Sequence, residues 1–111
     1  MATRSLIAVK ENDQYLTIYC HSDGDLLLHP LNAFHNGYDL AMALIHLGDL
    51  SQLHHKTGNT IAYHRDWGRD WEDHEPRSYN REELHQTITD CWAEYVYIFK
   101  ENQWHRYTVP W

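Results

Sequence analysis

The stretch "AEYVYIFKENQWHRYTVPW", residues 93–111, constrains the fold more than any other part of the chain. Side chains alternate along an extended segment, so Tyr95, Tyr97 and Phe99 share one face and Val96 and Ile98 the other. Both faces are apolar. Such a strand belongs at the centre of a sheet that is covered on both sides. Glu101 and Asn102 supply a turn, and Trp104 to Val109 return as the second arm of a hairpin.

The rest of the chain reads as elements that flank this strand. "SLIAVKENDQYLTIYCH" is a second hairpin, with strands over Ser5–Lys10 and Gln14–His21 and a turn at Glu11, Asn12 and Asp13. "NGYDLAMALIHL", Asn36 to Leu47, has Tyr38, Ala41, Met42 and Ile45 at helical spacing, with Leu44 widening the stripe. Asn36 is the expected N-cap, and Gly48 the left-handed end. Gly48 to Asn59 reads as a connector that tucks Leu50 and Leu53 onto the core. Thr60 to Asp66 has the β-branched and aromatic content of a third strand, and Trp67 to Ser78 reads as a loop. Asn80 to Trp92 is a second helix, with Asn80 and Glu83 spaced as a capping box. Its buried stripe is Leu84, Ile88, Cys91 and Trp92. The expected architecture is one α+β domain over residues 1–111, in the order ββ-α-β-α-ββ, with a mainly antiparallel sheet and two helices packed on it.

Charge limits the function classes. The 16 acidic residues outnumber the 9 basic ones, for a formal net charge of −7. Duplex binding draws most of its affinity from cations set against phosphates, so direct binding of duplex DNA is not expected. An acidic balance suits a basic partner, a metal ion or simple solubility. Cys20 and Cys91 are far apart and form no CxxC pair, which predicts reduced thiols in a cytoplasmic protein. The chain has no apolar run of membrane-spanning length and no signal-peptide pattern.

Two groups of residues could carry function. "IYCHSDGD" and "IAYHRDWG" share the pattern I-x-[CY]-H-x-D. If both lie at strand ends on one edge, His21, Asp23, His64 and Asp66 would converge. Two histidines and two aspartates suit a divalent zinc, manganese or iron ion, and a His–Asp pair suits general-base chemistry. The plainer reading is that each His and Asp only makes local hydrogen bonds. The second group lies in "WGRDWEDHE", where Trp67 and Trp71 are interleaved with Arg69, Asp70, Glu72, Asp73 and Glu75. Trp and Arg dominate binding hot spots, and an acidic loop with aromatic anchors suits a basic protein groove. Its plainer reading is a solvated rim over two inward-folded tryptophans. A third reading makes the aromatic C-terminal hairpin a self-association surface.

These motifs resemble a family of small proteins from bacteriophages, prophages and bacteria. Members open with an "ATRSLI"-like strand and continue with "YCH-x-DG", "L-x-x-LGDLS-x-L", "T-x-AYHRD-x-G-x-DW" and an "AEYVY-F" strand. The matching segments here are Ala2 to Ile7, Tyr19 to Gly24, Leu44 to Leu53, Thr60 to Trp71 and Ala93 to Phe99. The chain departs from the family after His21. Ser22 and "DLLLHP" replace an aromatic residue and a Tyr-Pro-Glu stretch. The resemblance implies a mobile-element setting in a host cytoplasm. By analogy of size, charge and origin, it points to an inhibitor, without cofactor, of a bacterial defence nuclease complex of the CRISPR type. The expected partner is a host protein or ribonucleoprotein with a basic surface. The alternative is a metal-dependent hydrolytic enzyme built on the four His and Asp residues.

Overall fold

The computed structural model describes residues 2–111. The described residues form a seven-stranded mixed sheet with helices on both faces. The first hairpin is β1 (Ser5–Glu11) and β2 (Gln14–Cys20), paired antiparallel from Ser5–Cys20 to Glu11–Gln14. Helices α1 (Leu28–Phe34) and α2 (Tyr38–Ile45) follow, then strands β3 (Leu50–Leu53) and β4 (Thr60–Ala62). Two short helices come next, α3 (Tyr63–Trp67) and α4 (Trp71–His74), and then strand β5 (Arg77–Tyr79). Helix α5 (Arg81–Cys91) leads into the closing hairpin of β6 (Tyr95–Lys100) and β7 (Gln103–Thr108).

The doubly apolar strand sits where its composition requires. In the order β4-β3-β2-β1-β6-β7, β6 is flanked by β1 on one side and β7 on the other. Ile7, Val9, Ile18, Cys20, Tyr97 and Phe99 face α1 and α2, and pack with Leu27, Leu31, Leu44 and Ile45. Leu6, Ala8, Val96 and Ile98 face the other way, and pack with Leu84 and Ile88 of α5. The fold is therefore α+β in three layers. Tyr97 is fully buried, and its hydroxyl has work inside the core. It donates to the Gly24 carbonyl and accepts from the Leu27 N–H at 3.3 Å. Both arms of the closing hairpin are as expected, and its turn places Glu101 and Asn102 at φ 53° and 61°.

The expected element order is met only in part. Four pairings are antiparallel (β1–β2, β2–β5, β3–β4 and β6–β7), but β1–β6 and β2–β3 are parallel. The chain returns to β1 through α5, a crossover that a parallel pair demands. The "DLLLHP" stretch, in which the sequence shows no periodic element, leads into and begins α1. Pro30 falls in its first turn, where a missing N–H costs nothing, and Leu27 and Leu31 are fully buried. Helix α2 starts at Tyr38 with Gly37 as its N-cap, not Asn36. Tyr38 is 49 % exposed, outside the buried stripe, and its hydroxyl donates to Glu11. The supposed connector contains β3 and the end of the supposed loop contains β5. Strands of three and four residues are too short to show a period.

Helix α5 matches its expected start closely. The Asn80 side chain accepts from the Glu83 N–H, and the Glu83 carboxylate accepts from the Asn80 N–H, each at 2.9 Å. Its end is different. Trp92 is not in the buried stripe. It is 76 % exposed and holds φ 60°, a left-handed position that costs a residue with a Cβ about 1–2 kcal/mol.

One topological feature positions everything that follows. The edge of β2 away from β1 changes partner along its length. Tyr15 to Thr17 pair with β5, whereas Cys20 pairs with Leu50 of β3. Ile18 and Tyr19 lie in the gap between the two partners.

Candidate functional site: the Tyr63–Glu75 surface and its anchor

Local hydrogen bonds override the strand propensity of "TIAYHRD". The Asp66 carboxylate accepts the Ala62 N–H at 2.8 Å, which satisfies an amide at the start of α3. Arg65 bonds the same carboxylate at 2.8 Å and reaches the Thr60 carbonyl at 2.7 Å. Gly68, at φ 66°, ends the helix, and the Arg69 N–H reaches back to the Tyr63 carbonyl at 3.1 Å. The His64 Nδ1–H donates to the Arg69 carbonyl at 2.8 Å and ties off the same turn. Arg65 and the Ala62 N–H together hold the Asp66 carboxyl below the usual range.

These bonds correct the expected metal geometry. His64 and Asp66 lie on a helix, not at a strand end, because β4 stops at Ala62. Strand β3 separates β4 from β2, so the two H-x-D segments do not end side by side. His21 bonds the Tyr19 hydroxyl through Nδ1 at 2.7 Å, and Asp23 lies 3.4 Å from the Gln52 amide nitrogen. Among the described residues, no three His, Cys, Asp or Glu side chains are grouped as a metal ion would need. The Cys20 thiol is pushed up to about 12 by burial, which leaves it protonated and not a nucleophile.

The segment is anchored by Asp49, a residue that no sequence motif singled out for a role. Its N–H donates to the His74 carbonyl at 2.8 Å, and its carbonyl accepts from the Tyr63 N–H at 3.2 Å. Its Oδ1 accepts the Tyr19 N–H at 2.9 Å, in the gap of the β2 edge. Its Oδ2 lies 3.2 Å from His74 Nδ1. One residue thus ties β2, α3 and α4 together. Burial pushes the Asp49 carboxyl up, and the Tyr19 N–H and His74 oppose that push. No local signal marks this role, because the amide that Asp49 serves lies 30 residues away in the chain.

Rings lock the two short helices onto this anchor. Tyr63 stacks on His74 at 4.7 Å, Trp67 meets Tyr63 edge-on at 5.1 Å, and Trp71 meets His64 edge-on at 5.2 Å. Trp67 nevertheless stays 50 % exposed and Trp71 37 %. Arg69, Asp70, Glu72 and Asp73 are exposed around them. Among the described residues Arg65 pairs with Asp66 and Asp49 meets His74, and none of these four charges takes part in either contact. Glu75 differs from the rest of the expected surface. It is half-buried and lines a cleft beside β5. The C-terminal aromatics are largely committed inward. Trp104 is buried and donates to the His35 carbonyl at 3.0 Å, and Trp111 packs on Tyr15 and Tyr107. None of the helices is long and apolar enough to cross a membrane, among the described residues. No protein-family model, curated protein or solved structure matches this chain.

Proposed function

We propose that this protein acts by binding another protein through the α3–α4 surface. In the setting that the phage-family resemblance implies, the partner is a host protein or ribonucleoprotein with a basic surface, such as a CRISPR-type defence nuclease complex, which it inhibits. The observation that carries this reading is the pair of half-exposed tryptophans, Trp67 and Trp71, on a scaffold fixed by Asp49. A rigid aromatic anchor loses little conformational freedom on binding, and hot spots are enriched in Trp. The unpaired Asp70, Glu72 and Asp73 beside them would steer a cationic partner.

The test is the triple charge reversal Asp70→Lys, Glu72→Lys and Asp73→Lys, with Trp67→Ala as a separate variant. Both should weaken capture of, and inhibition by, the partner by roughly tenfold or more, without changing the circular dichroism spectrum. A triple variant that inhibits as well as the parent protein would sink the assignment.

A further inference from the structure

The gap on the split edge of β2 opens into a cleft of about 380 Å3 on the α5 side of the sheet. Leu6 and Tyr19 contribute from the sheet, Cys91 from α5, Glu75 from the end of α4, and Arg77 and Tyr79 from β5. Asp49 also lines the cleft, with its carboxylate already engaged by the Tyr19 N–H and His74. Arg4, at the start of β1, completes the lining. This volume is in the range of small-molecule sites, which combine an apolar lining with a few convergent polar groups.

The arginines are the unusual part. Arg4 makes one long bond to the Cys91 carbonyl at 3.5 Å, and Arg77 one to the Glu72 carbonyl at 3.1 Å. Neither belongs to an ion pair among the described residues. A guanidinium carries five N–H donors in a planar fork, so most of both forks is uncommitted. Two such forks on one small cleft suit an oxyanion, and phosphate in particular. The Tyr19 and Tyr79 rings offer flat apolar surface, and the exposed Trp92 ring lies 5.9 Å from the Arg4 guanidinium. Glu75 is a half-buried carboxylate with no hydrogen bond or ion pair among the described residues, free to accept an N–H from a guest.

We infer that this cleft binds a purine mononucleotide, with its phosphate on Arg4 and Arg77 and its ring among the tyrosines. Glu75 selects guanine, whose edge presents two adjacent N–H donors to a carboxylate. A single nucleotide is compatible with the net charge of −7, whereas a polynucleotide would meet that repulsion at every phosphate outside the cleft. This site borders the tryptophan surface and shares Asp49 and Glu75 with it, but Trp67, Asp70, Trp71, Glu72 and Asp73 do not line it.

The test is calorimetric titration of the untagged full chain with GMP, guanosine and inorganic phosphate. GMP should bind more tightly than either fragment. Arg77→Gln, at an exposed side chain, and Arg4→Gln should each weaken GMP by roughly tenfold or more, the worth of a charge-assisted hydrogen bond. Arg81→Gln should leave binding unchanged, because that guanidinium stacks 4.2 Å over Trp111 and does not line the cleft. Melting curves separate lost binding from lost fold, and Arg77→Gln decides the matter if Arg4→Gln unfolds. The inference is overturned by the absence of GMP binding at millimolar concentration. It is equally overturned if phosphate alone binds as well as GMP, or if GMP binding survives Arg77→Gln.

Discussion

Asp49 and His74 are joined twice, once through the backbone and once through their side chains. The Asp49 N–H donates to the His74 carbonyl at 2.8 Å, and the Asp49 carboxylate meets His74 Nδ1 at 3.2 Å. The same carboxylate takes the Tyr19 N–H that neither β3 nor β5 reaches. The α3–α4 surface is therefore held at the point where the sheet edge is interrupted.

That arrangement predicts different outcomes for two substitutions of Asp49. Asp49→Ala leaves the Tyr19 N–H without an acceptor and should cost about 1–3 kcal/mol in urea denaturation. Asp49→Asn keeps the Oδ1 acceptor and can donate to an unprotonated His74 Nδ1, so it should cost less. The pH response separates them from the parent as well. Burial raises the folded-state pKa of Asp49 above its unfolded value. The folded chain then holds the proton more tightly, so this residue's contribution to stability falls as pH rises from about 4 through the folded pKa. Asp49→Asn should lose that component of the pH dependence.

Gly48 and Gly68 both hold left-handed backbone, at φ 79° and 66°, yet they should respond differently to alanine. A Cβ at Gly68 meets nothing within 4 Å, so Gly68→Ala should cost only the backbone strain, about 1–2 kcal/mol. A Cβ at Gly48 would overlap the His74 carbonyl oxygen and lie 3.0 Å from Trp71 Cζ3. Gly48→Ala should add an overpacking cost of about 1–3 kcal/mol and push α4 off its anchor. Greater proteolysis near Trp71 in Gly48→Ala than in Gly68→Ala would report that displacement. Equal melting temperatures for the two variants would contradict it.

His35 should make the fold acid-sensitive. Burial lowers its pKa, against the pull of the Gly58 carbonyl at 3.2 Å from Nε2. The unfolded chain therefore takes up the proton first. Stability from this group is complete above the unfolded value of about 6.5 and is lost as pH falls from there through the folded pKa. His35→Gln keeps a donor for Gly58 and removes the titration. Between pH 7 and 5 it should lose less stability than the parent chain, measured by denaturant titration.

The two thiols should label in a fixed order. Cys20 is fully buried with its thiol raised to about 12, while Cys91 is half-buried with a smaller upward push. A disulfide reagent at mild alkaline pH should modify Cys91 first and reach Cys20 only as the chain unfolds. Rapid native labelling of Cys20 would contradict the packing described.

The amino-acid sequence by itself determined the parts of this protein whose signal is complete within one element. Tyr95 to Phe99 announce a strand buried on both faces because their two-residue alternation is apolar throughout, and β6 lies between β1 and β7 with a core on each side. Asn80 and Glu83 announce the start of α5 because a capping box spans only four residues. Tertiary structure decided the rest. Short β3 and β5 have no readable period and exist only because β2 offers them an edge. Thr60 to Asp66 has strand composition, yet the Asp66 carboxylate and Gly68 close a helix at Tyr63. The placement of Trp67 and Trp71 depends on Asp49, which lies more than ten residues before either in the chain. Hydrogen bonds across that separation leave no local pattern, so only the folded chain shows what holds the surface in place.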